Sequence, residues 1–243
     1  MTTLVVGASG ATGKHLVEHL LNRGIEVKAF LRDGSELPDH IKDHENLAII
    51  RGTVLDTSDM ELASIIQDCD AVASCLGHNL SFKGLFLPPR KLVRDSIRKL
   101  FKAVQVHKSD PKKKFVLMGS SGVRNSDQKE SSSLKSRIVV AILRVFLPPH
   151  TDNESAAEFF RVKIGQHDPQ LEWVVVRPSG LIDNTQVSAY EATPSPVRDP
   201  IFDDGQISRI NVGHFMAELI KDAELWSQWK GQMPVIYNSD SDD

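Results

Sequence analysis

A doubly wound α/β domain built on a parallel sheet is the fold that this sequence predicts, on three observations. Short apolar runs alternate with segments of helical hydrophobic period along most of the chain. The first run leads through a turn with evenly spaced glycines into an amphipathic helix. A length of 243 residues suffices for one such domain with a full core and requires no second one.

Leu4 to Val6 is the first strand, and Lys14 to Asn22 is the first helix, with Leu16, Val17, Leu20 and Leu21 on one side. Between them lies Gly7-Ala8-Ser9-Gly10-Ala11-Thr12-Gly13. Glycines at i, i+3 and i+6 have distinct physical jobs there. The first permits the tight turn, the second lets a pyrophosphate approach the backbone, and the third lets helix and strand pack closely. The anion then meets free N–H groups and the positive end of the helix macrodipole. The stretch is therefore read as a Rossmann-like dinucleotide turn, against the plainer alternative of a glycine-rich loop.

Gly24 is placed as the C-cap of that helix, and Glu26 to Leu31 is the second strand. Arg32 closes it. An acidic residue at this edge would bond the ribose hydroxyls of NAD, whereas an arginine pairs with the 2′-phosphate of NADP, so NADP is expected ahead of NAD. The neighbouring Asp33 argues the other way, and a solvated loop charge is the bland reading of Arg32. Leu47 to Arg51 is the third strand, and Ser58 with Glu61 forms a capping box for the next helix. Asp56 then falls at the C-terminal edge of the sheet, either accepting from an adenine amino group or simply shaping a turn. Ala71 to Leu76 is the fourth strand, ending in Gly77, with His78 and Asn79 next to line a pocket or satisfy local bonds.

Leu92 to His107 is a basic amphipathic helix that buries Val93, Ile97, Leu100, Phe101 and Val104. Its charges Arg94, Arg98, Lys99 and Lys102, and the turn Lys112-Lys113-Lys114, are read as solvated. Phe115 to Met118 is strand five, ending in Gly119-Ser120-Ser121-Gly122 at the ligand edge. Arg124 to Ser133 is a polar loop near the site. Leu134 to Leu147, bounded by Pro148-Pro149, is apolar and suits a helix over the pocket, a subunit contact or core. Glu154 to His167 is a helix, Trp173 to Val176 is strand six before Arg177-Pro178-Ser179-Gly180, and Asp183 to Asp204 is a substrate-side loop. Val212 to Lys221 is a late helix, Pro234 to Tyr237 a last strand, and Ser239 to Asp243 a disordered acidic tail. Residues 1–238 thus read as one domain with a small C-terminal substrate-side region, its substrate-side segments near 124–152 and 178–211.

A net charge of -3 gives no general attraction to nucleic acid or to an anionic membrane and favours small-molecule chemistry. No apolar run reaches the roughly 18 residues of a membrane span. Cys69 and Cys75 lie in or beside a buried strand and read as reduced packing residues, and the absence of a secretory signal fits a cytoplasmic protein. His15 and His19 stand one helical turn apart without a further ligand nearby, so no metal site is expected.

With these segments in hand, the chain resembles the atypical short-chain dehydrogenase/reductase superfamily, and within it the NmrA-like and flavin/biliverdin reductase type B groups. The resemblance rests on GASGATG, LRD at 31–33, GTVLD ending at Asp56, CLG at 75–77, VVRPSGL before Ile182 and SRINVGHFM at 208–216. It implies an NADP site lined by Gly7, Ser9, Gly10, Ala11, Thr12, Gly13, Arg32, Asp56, Leu76, Gly77, Ser120 and Pro178. The usual members carry a tyrosine acid four residues before a lysine that lowers its pKa. Here Tyr190 and Tyr237 are followed four residues on by Pro194 and Ser241, and Phe159 with Lys163 has the spacing but no phenol.

The resemblance therefore implies NADPH-dependent hydride transfer to a conjugated acceptor such as a flavin or quinone. Ser120 would sit near the nicotinamide or acceptor, Ser121 is a second choice, and Lys163 would offer charge to an anionic acceptor. An NADP-binding redox sensor without turnover is the alternative, and epimerase or dehydratase chemistry, which usually needs the missing tyrosine, ranks last. The expected partner is a small-molecule acceptor rather than nucleic acid or membrane, and a homo-oligomer is compatible.

Overall fold

In the computed structural model, which describes residues 1–77, 91–128, 130, 135–136, 139–140 and 148–239, the first strand becomes the middle of a parallel sheet. That strand, β1 (Thr2–Val6), pairs in parallel with β2 (Glu26–Leu31) on one side and β4 (Ala71–Ser74) on the other. Strand β3 (Leu47–Arg51) lies outside β2, and β5 (Lys113–Met118) and β6 (Leu171–Pro178) follow β4. A separate pair joins β7 (Gly180–Ile182) to β9 (Gln206–Ser208). Strand β10 (Val235–Asn238) continues the main sheet in parallel, and β8 (Tyr190–Thr193) closes it antiparallel. The order β3-β2-β1-β4-β5-β6-β10-β8 reverses direction between β1 and β4. Ligands of open α/β sheets bind in the crevice at such a switch point, beyond the carboxyl ends of the strands.

Alternation along each strand feeds two apolar layers. Val5 faces α1 (Gly13–Leu21) and α6 (Arg209–Lys221), packing with Leu16, Leu20, Val212 and Met216. Leu4 and Val6 face the other layer, made by α3 (Asp59–Gln67), α4 (Leu92–Val106) and α5 (Pro148–Glu158), where Ile97, Leu100, Phe160 and Trp173 fill the core. Helix α5 widens into a π turn over Phe159–Ile164. Two short helices, α2 (Asp39–Lys42) and α7 (Ala223–Trp229), also form. Among the described residues, N-cap side chains start three helices: Ser58 accepts from Glu61 N–H, Ser208 from Asn211 N–H, and Asp222 from Glu224 and Leu225 N–H.

The glycine in the SRINVGHFM segment has a packing reason. A Cβ on Gly213 would stand 2.8 Å from Leu16 N and 2.9 Å from His15 Cβ, so α6 rests directly on the backbone of α1. Beside that contact His19 and His214 meet edge to face at 5.2 Å, and Tyr190 OH lies 2.7 Å from His214 Nδ1. Arg23 ties the two helices by donating to Glu218 Oε1 and to the His19 carbonyl.

The structure corrects several expectations. Lys113 and Lys114 are not a solvated turn, because they begin β5 and point to opposite faces. Lys113 is buried and donates to the Gln67 and Cys69 carbonyls past the end of α3, while Lys114 donates to the Leu219 and Ile220 carbonyls of α6. Each cation neutralises carbonyls that a helix end leaves unpaired. Residues 183–204 are not all loop, since β8 forms within them. The helix expected from Glu154 starts earlier, at Pro148. His78, Asn79, the tail beyond Ser239 and most of 134–147 lie outside the described residues. Cys69 and Cys75 are free and buried, and burial pushes their thiols up to about 11 and about 12. Among the described residues no helix is long and apolar enough to cross a membrane.

Candidate functional site

The turn between β1 and α1 is shaped to leave donors free. Gly7 has φ 74°, and a Cβ there would lie 2.7 Å from the Cys75 carbonyl, so only glycine fits between β1 and β4. A Cβ on Gly13 would strike the Gly7 carbonyl. Gly10 faces out, its N–H bonded to Gly7 O at 3.0 Å and its carbonyl taken by Lys14 N–H. The N–H groups of Ala11, Thr12 and Gly13 have no partner among the described residues, and the Thr12 hydroxyl makes no cap bond. A helix start with donors unspent is what a pyrophosphate needs, so the residues present fit a dinucleotide.

Past the end of β2, Arg32 is exposed, and its guanidinium makes no ion pair among the described residues. Its loop is held from β3: Arg51 Nη1 donates to Ser35 O at 2.5 Å, and Nη2 to Glu36 Oε1 at 2.9 Å. Asp56 is exposed at the next loop, one carboxylate oxygen accepting from Thr53 Oγ1 at 2.6 Å. Lys99 of α4 is not a solvated charge, since it donates to the carbonyls of Leu55 and Thr57 and so pins the loop on both sides of Asp56. Leu76 is half-buried against the core, whereas Gly77 is exposed and a Cβ there would meet open space.

The carboxyl end of β5 supplies the third part. Ser120 Oγ accepts from Gly122 N–H at 3.3 Å and stays half-exposed. Ser121 is buried, its N–H donating to the carbonyl of Pro178, itself buried at the end of β6. The Ser121 hydroxyl bonds to Asp204, whose carboxyl is raised above the ordinary carboxylate range by burial, with the Ser121 bond opposing. Above Gly122 stands His150, at the start of α5. A Cβ built on Gly122 would lie 3.5 Å from His150 Cε1 and 3.7 Å from Ser120 Oγ. His150 Nε2 is 3.4 Å from Glu154 Oε1, one helical turn on.

Behind this edge, Arg177 is fully buried. It donates from Nε to Met233 O at 2.6 Å, from Nη1 to Val123 O at 2.8 Å and from Nη2 to Pro194 O at 3.3 Å, and it pairs with Glu130 Oε1 at 2.7 Å. The second Glu130 oxygen accepts from Asn125 N–H at 2.9 Å. The arginine of the RPSG segment thus locks the loop after β5 to β6 and to the approaches of β8 and β10.

Lys163 does not join this constellation. Helix α5 starts beside Ser120 and runs back down the sheet, ending where Trp173 Nε1, near the start of β6, donates to Gly165 O. At 1.5 Å per residue, Lys163 is about 20 Å below His150, and it is exposed there. Both tyrosines already have partners, Tyr190 in His214 and Tyr237 in the backbone of Val197 and Arg198. Tyr190 is engaged with His214 and pushed up to about 12 by burial, and Tyr237 is buried in β10 and raised for the same reason. Sequence reasoning missed His150, Glu154, Asp204 and Lys99. The i, i+4 spacing of His150 and Glu154 after Pro148-Pro149 was the one readable signal.

Comparison with known proteins fits this geometry. The family model for NAD(P)H-binding proteins matches residues 7–223. An uncharacterized chloroplastic protein of Arabidopsis thaliana is 42% identical over 71 residues, a stretch covering 29% of this chain and 25% of that protein. A short-chain dehydrogenase/reductase from Veillonella parvula, solved in complex with NADP, superposes with a TM-score of 0.70 at 14% identity, over 99% of this chain and 95% of that one. A protein from Streptococcus pneumoniae assigned as an NADH-flavin reductase superposes with a TM-score of 0.65 at 18% identity, over 98% of this chain and 100% of that one. These structural likenesses show a shared Rossmann-like fold.

Proposed function

The chain belongs to the NAD(P)H-binding family, and from that premise we propose that it is an NADP(H)-dependent oxidoreductase that passes hydride to a conjugated small molecule, a flavin or quinone. The observation that carries the reading is the start of α1, where the N–H groups of Ala11, Thr12 and Gly13 have no partner among the described residues, together with an exposed Arg32 past β2 that makes no ion pair among them. The donors of Ala11, Thr12 and Gly13 hold the pyrophosphate, Arg32 takes the 2′-phosphate, and Asp56 receives the adenine amino group. Leu76 and Gly77 line the far side of the ring system.

When bound, the reduced cofactor supplies a hydride. The chain contributes orientation and exclusion of water at the end of β5, where Ser120 hydrogen-bonds the acceptor. A conjugated acceptor spreads the arriving charge over its rings, so its reduction does not depend on the tyrosine that the usual members carry. The engagement of both tyrosines with other partners supports this acceptor class over alcohols and ketones, and supports a place near the NmrA-like and flavin reductase groups.

The test is oxidation of NADPH by the purified protein with FMN and with quinones, followed by NADPH absorbance. Steady consumption that falls when Ser120→Ala is introduced supports the reading. Tight NADPH binding with no consumption across the panel replaces it with a redox-sensing role, which the missing tyrosine also suits.

A further inference from the structure

We propose that His150 is the proton donor to the acceptor, held in place by Glu154, in a site where the usual tyrosine is absent. The inference rests on the reductase reading and assigns its missing acid. Three observations converge. His150 belongs to the first turn of α5, directly above the β5 loop that carries Ser120. Its ring and the Ser120 hydroxyl face one gap: a Cβ on Gly122 would be 3.9 Å from His150 Nδ1 and 3.7 Å from Ser120 Oγ, and glycine leaves that gap open. The two ring nitrogens also face different ways. Nε2 points at Glu154 Oε1, 3.4 Å off and not yet aligned as a hydrogen bond, so Nδ1 is the nitrogen turned toward the site.

Side-chain exposures of 10% for His150 and 17% for Glu154 keep the pair largely out of bulk water, so the carboxylate can fix the orientation of the ring. The other acids are engaged or distant. Tyr190 is bound to His214 in the opposite layer, and Lys163 lies at the far end of α5. Asp204 is the rival, but it faces buried Ser121 rather than Ser120.

The balance is complete. The acceptor gains a hydride with its electron pair from the reduced nicotinamide ring, which is left oxidised. It gains the Nδ1 proton at the atom where charge collects. The imidazolium becomes neutral imidazole and reloads from water.

The experiment compares wild type, His150→Ala, His150→Gln and Asp204→Asn with FMN as acceptor. It measures kcat at saturating NADPH, NADPH affinity by fluorescence, and thermal melting as a folding control. A general acid contributes on the order of 10²–10⁴ in rate, so both His150 variants should lose roughly a hundredfold or more in kcat with NADPH affinity unchanged. Added imidazole should restore part of the rate to His150→Ala but not to Asp204→Asn. The His150 ring signal in NMR, identified by its loss in His150→Ala, should move when FMN is added to the protein with NADP. A kcat close to wild type in folded His150→Gln, or a loss confined to Asp204→Asn, overturns the proposal while leaving the reductase reading intact. No NADPH oxidation by wild type overturns both.

Discussion

Replacing Arg177 by Met is the perturbation with the largest consequence that the structure supports. The guanidinium is fully buried, makes three bonds to carbonyls and pairs with Glu130, whose side chain is 6% exposed. Desolvation is the chief influence on Arg177 and lowers its pKa, with Glu130 opposing, so each charge is tolerable there only because the other is present. Removing one partner of a buried pair leaves an uncompensated charge and costs about 3–5 kcal/mol. For a domain of this size each kcal/mol is worth roughly 2–4 °C, which puts the fall in Tm at about 6–20 °C. Glu130→Gln should cost a comparable amount. The double variant should be less destabilised than the sum of the two, because no lone charge remains. Urea denaturation followed by circular dichroism gives all three values. Single-variant losses below about 1 kcal/mol, or strict additivity, would refute the argument that this pair locks the β5 loop to β6.

Three further outcomes follow from the same geometry. Gly213→Ala should destabilise by about 1–3 kcal/mol through overpacking against α1, although alanine is the better helix former by about 1 kcal/mol; a gain in Tm would contradict the close packing of α1 on α6. His19 is lowered from 6.5 to about 4 by burial first and by His214 and Arg23 next, and His15 and His214 are lowered mainly by burial. The neutral forms are the ones the fold favours, so their stabilisation is full above pH 6.5 and drains away as pH falls toward 4. The Tm of wild type should drop more steeply across that window than the Tm of His19→Asn, and parallel curves would count against the cluster. Lys99→Met removes the donor to the Leu55 and Thr57 carbonyls at a cost of about 1–2 kcal/mol. Amide exchange over residues 53–57 should quicken and NADPH affinity weaken a few-fold, and unchanged exchange would mean that the loop needs no such anchor.

The parallel sheet and the glycine turn of the candidate site were legible because both are written locally. Strand, glycine spacing and helix sit within the first 22 residues, and Arg32 and Asp56 each follow a strand that its own hydrophobicity reveals. The reaction half depends on contacts between distant residues. His150 meets the Ser120 loop only because α5 begins at the same sheet edge where β5 ends, and Ser121 finds Asp204 only when the chain returns before β9. Lys163 was misjudged for the mirror reason: spacing from Phe159 was readable, but the direction in which the helix runs along the sheet was not. The lysines were misread because charge implies water unless helix carbonyls need it. Lys99, Lys113 and Lys114 each meet carbonyls from elements at least 40 residues away. Strand β8 escaped because its short, half-exposed run Tyr190–Thr193 lies in a proline-rich stretch and is specified by pairing with β10 rather than by its own pattern.

The central claim is that α1 and Arg32 hold a phosphorylated dinucleotide, and equilibrium titration of the protein with NADPH and NADH, repeated for Arg32→Ala, tests it most directly. A charge-assisted contact to the 2′-phosphate is worth about 1.5–3 kcal/mol, so NADPH should bind roughly tenfold to hundredfold more tightly than NADH. Arg32→Ala should erase that preference while leaving NADH affinity as it was. Equal affinity for both cofactors in wild type, or a preference that survives Arg32→Ala, would contradict the account.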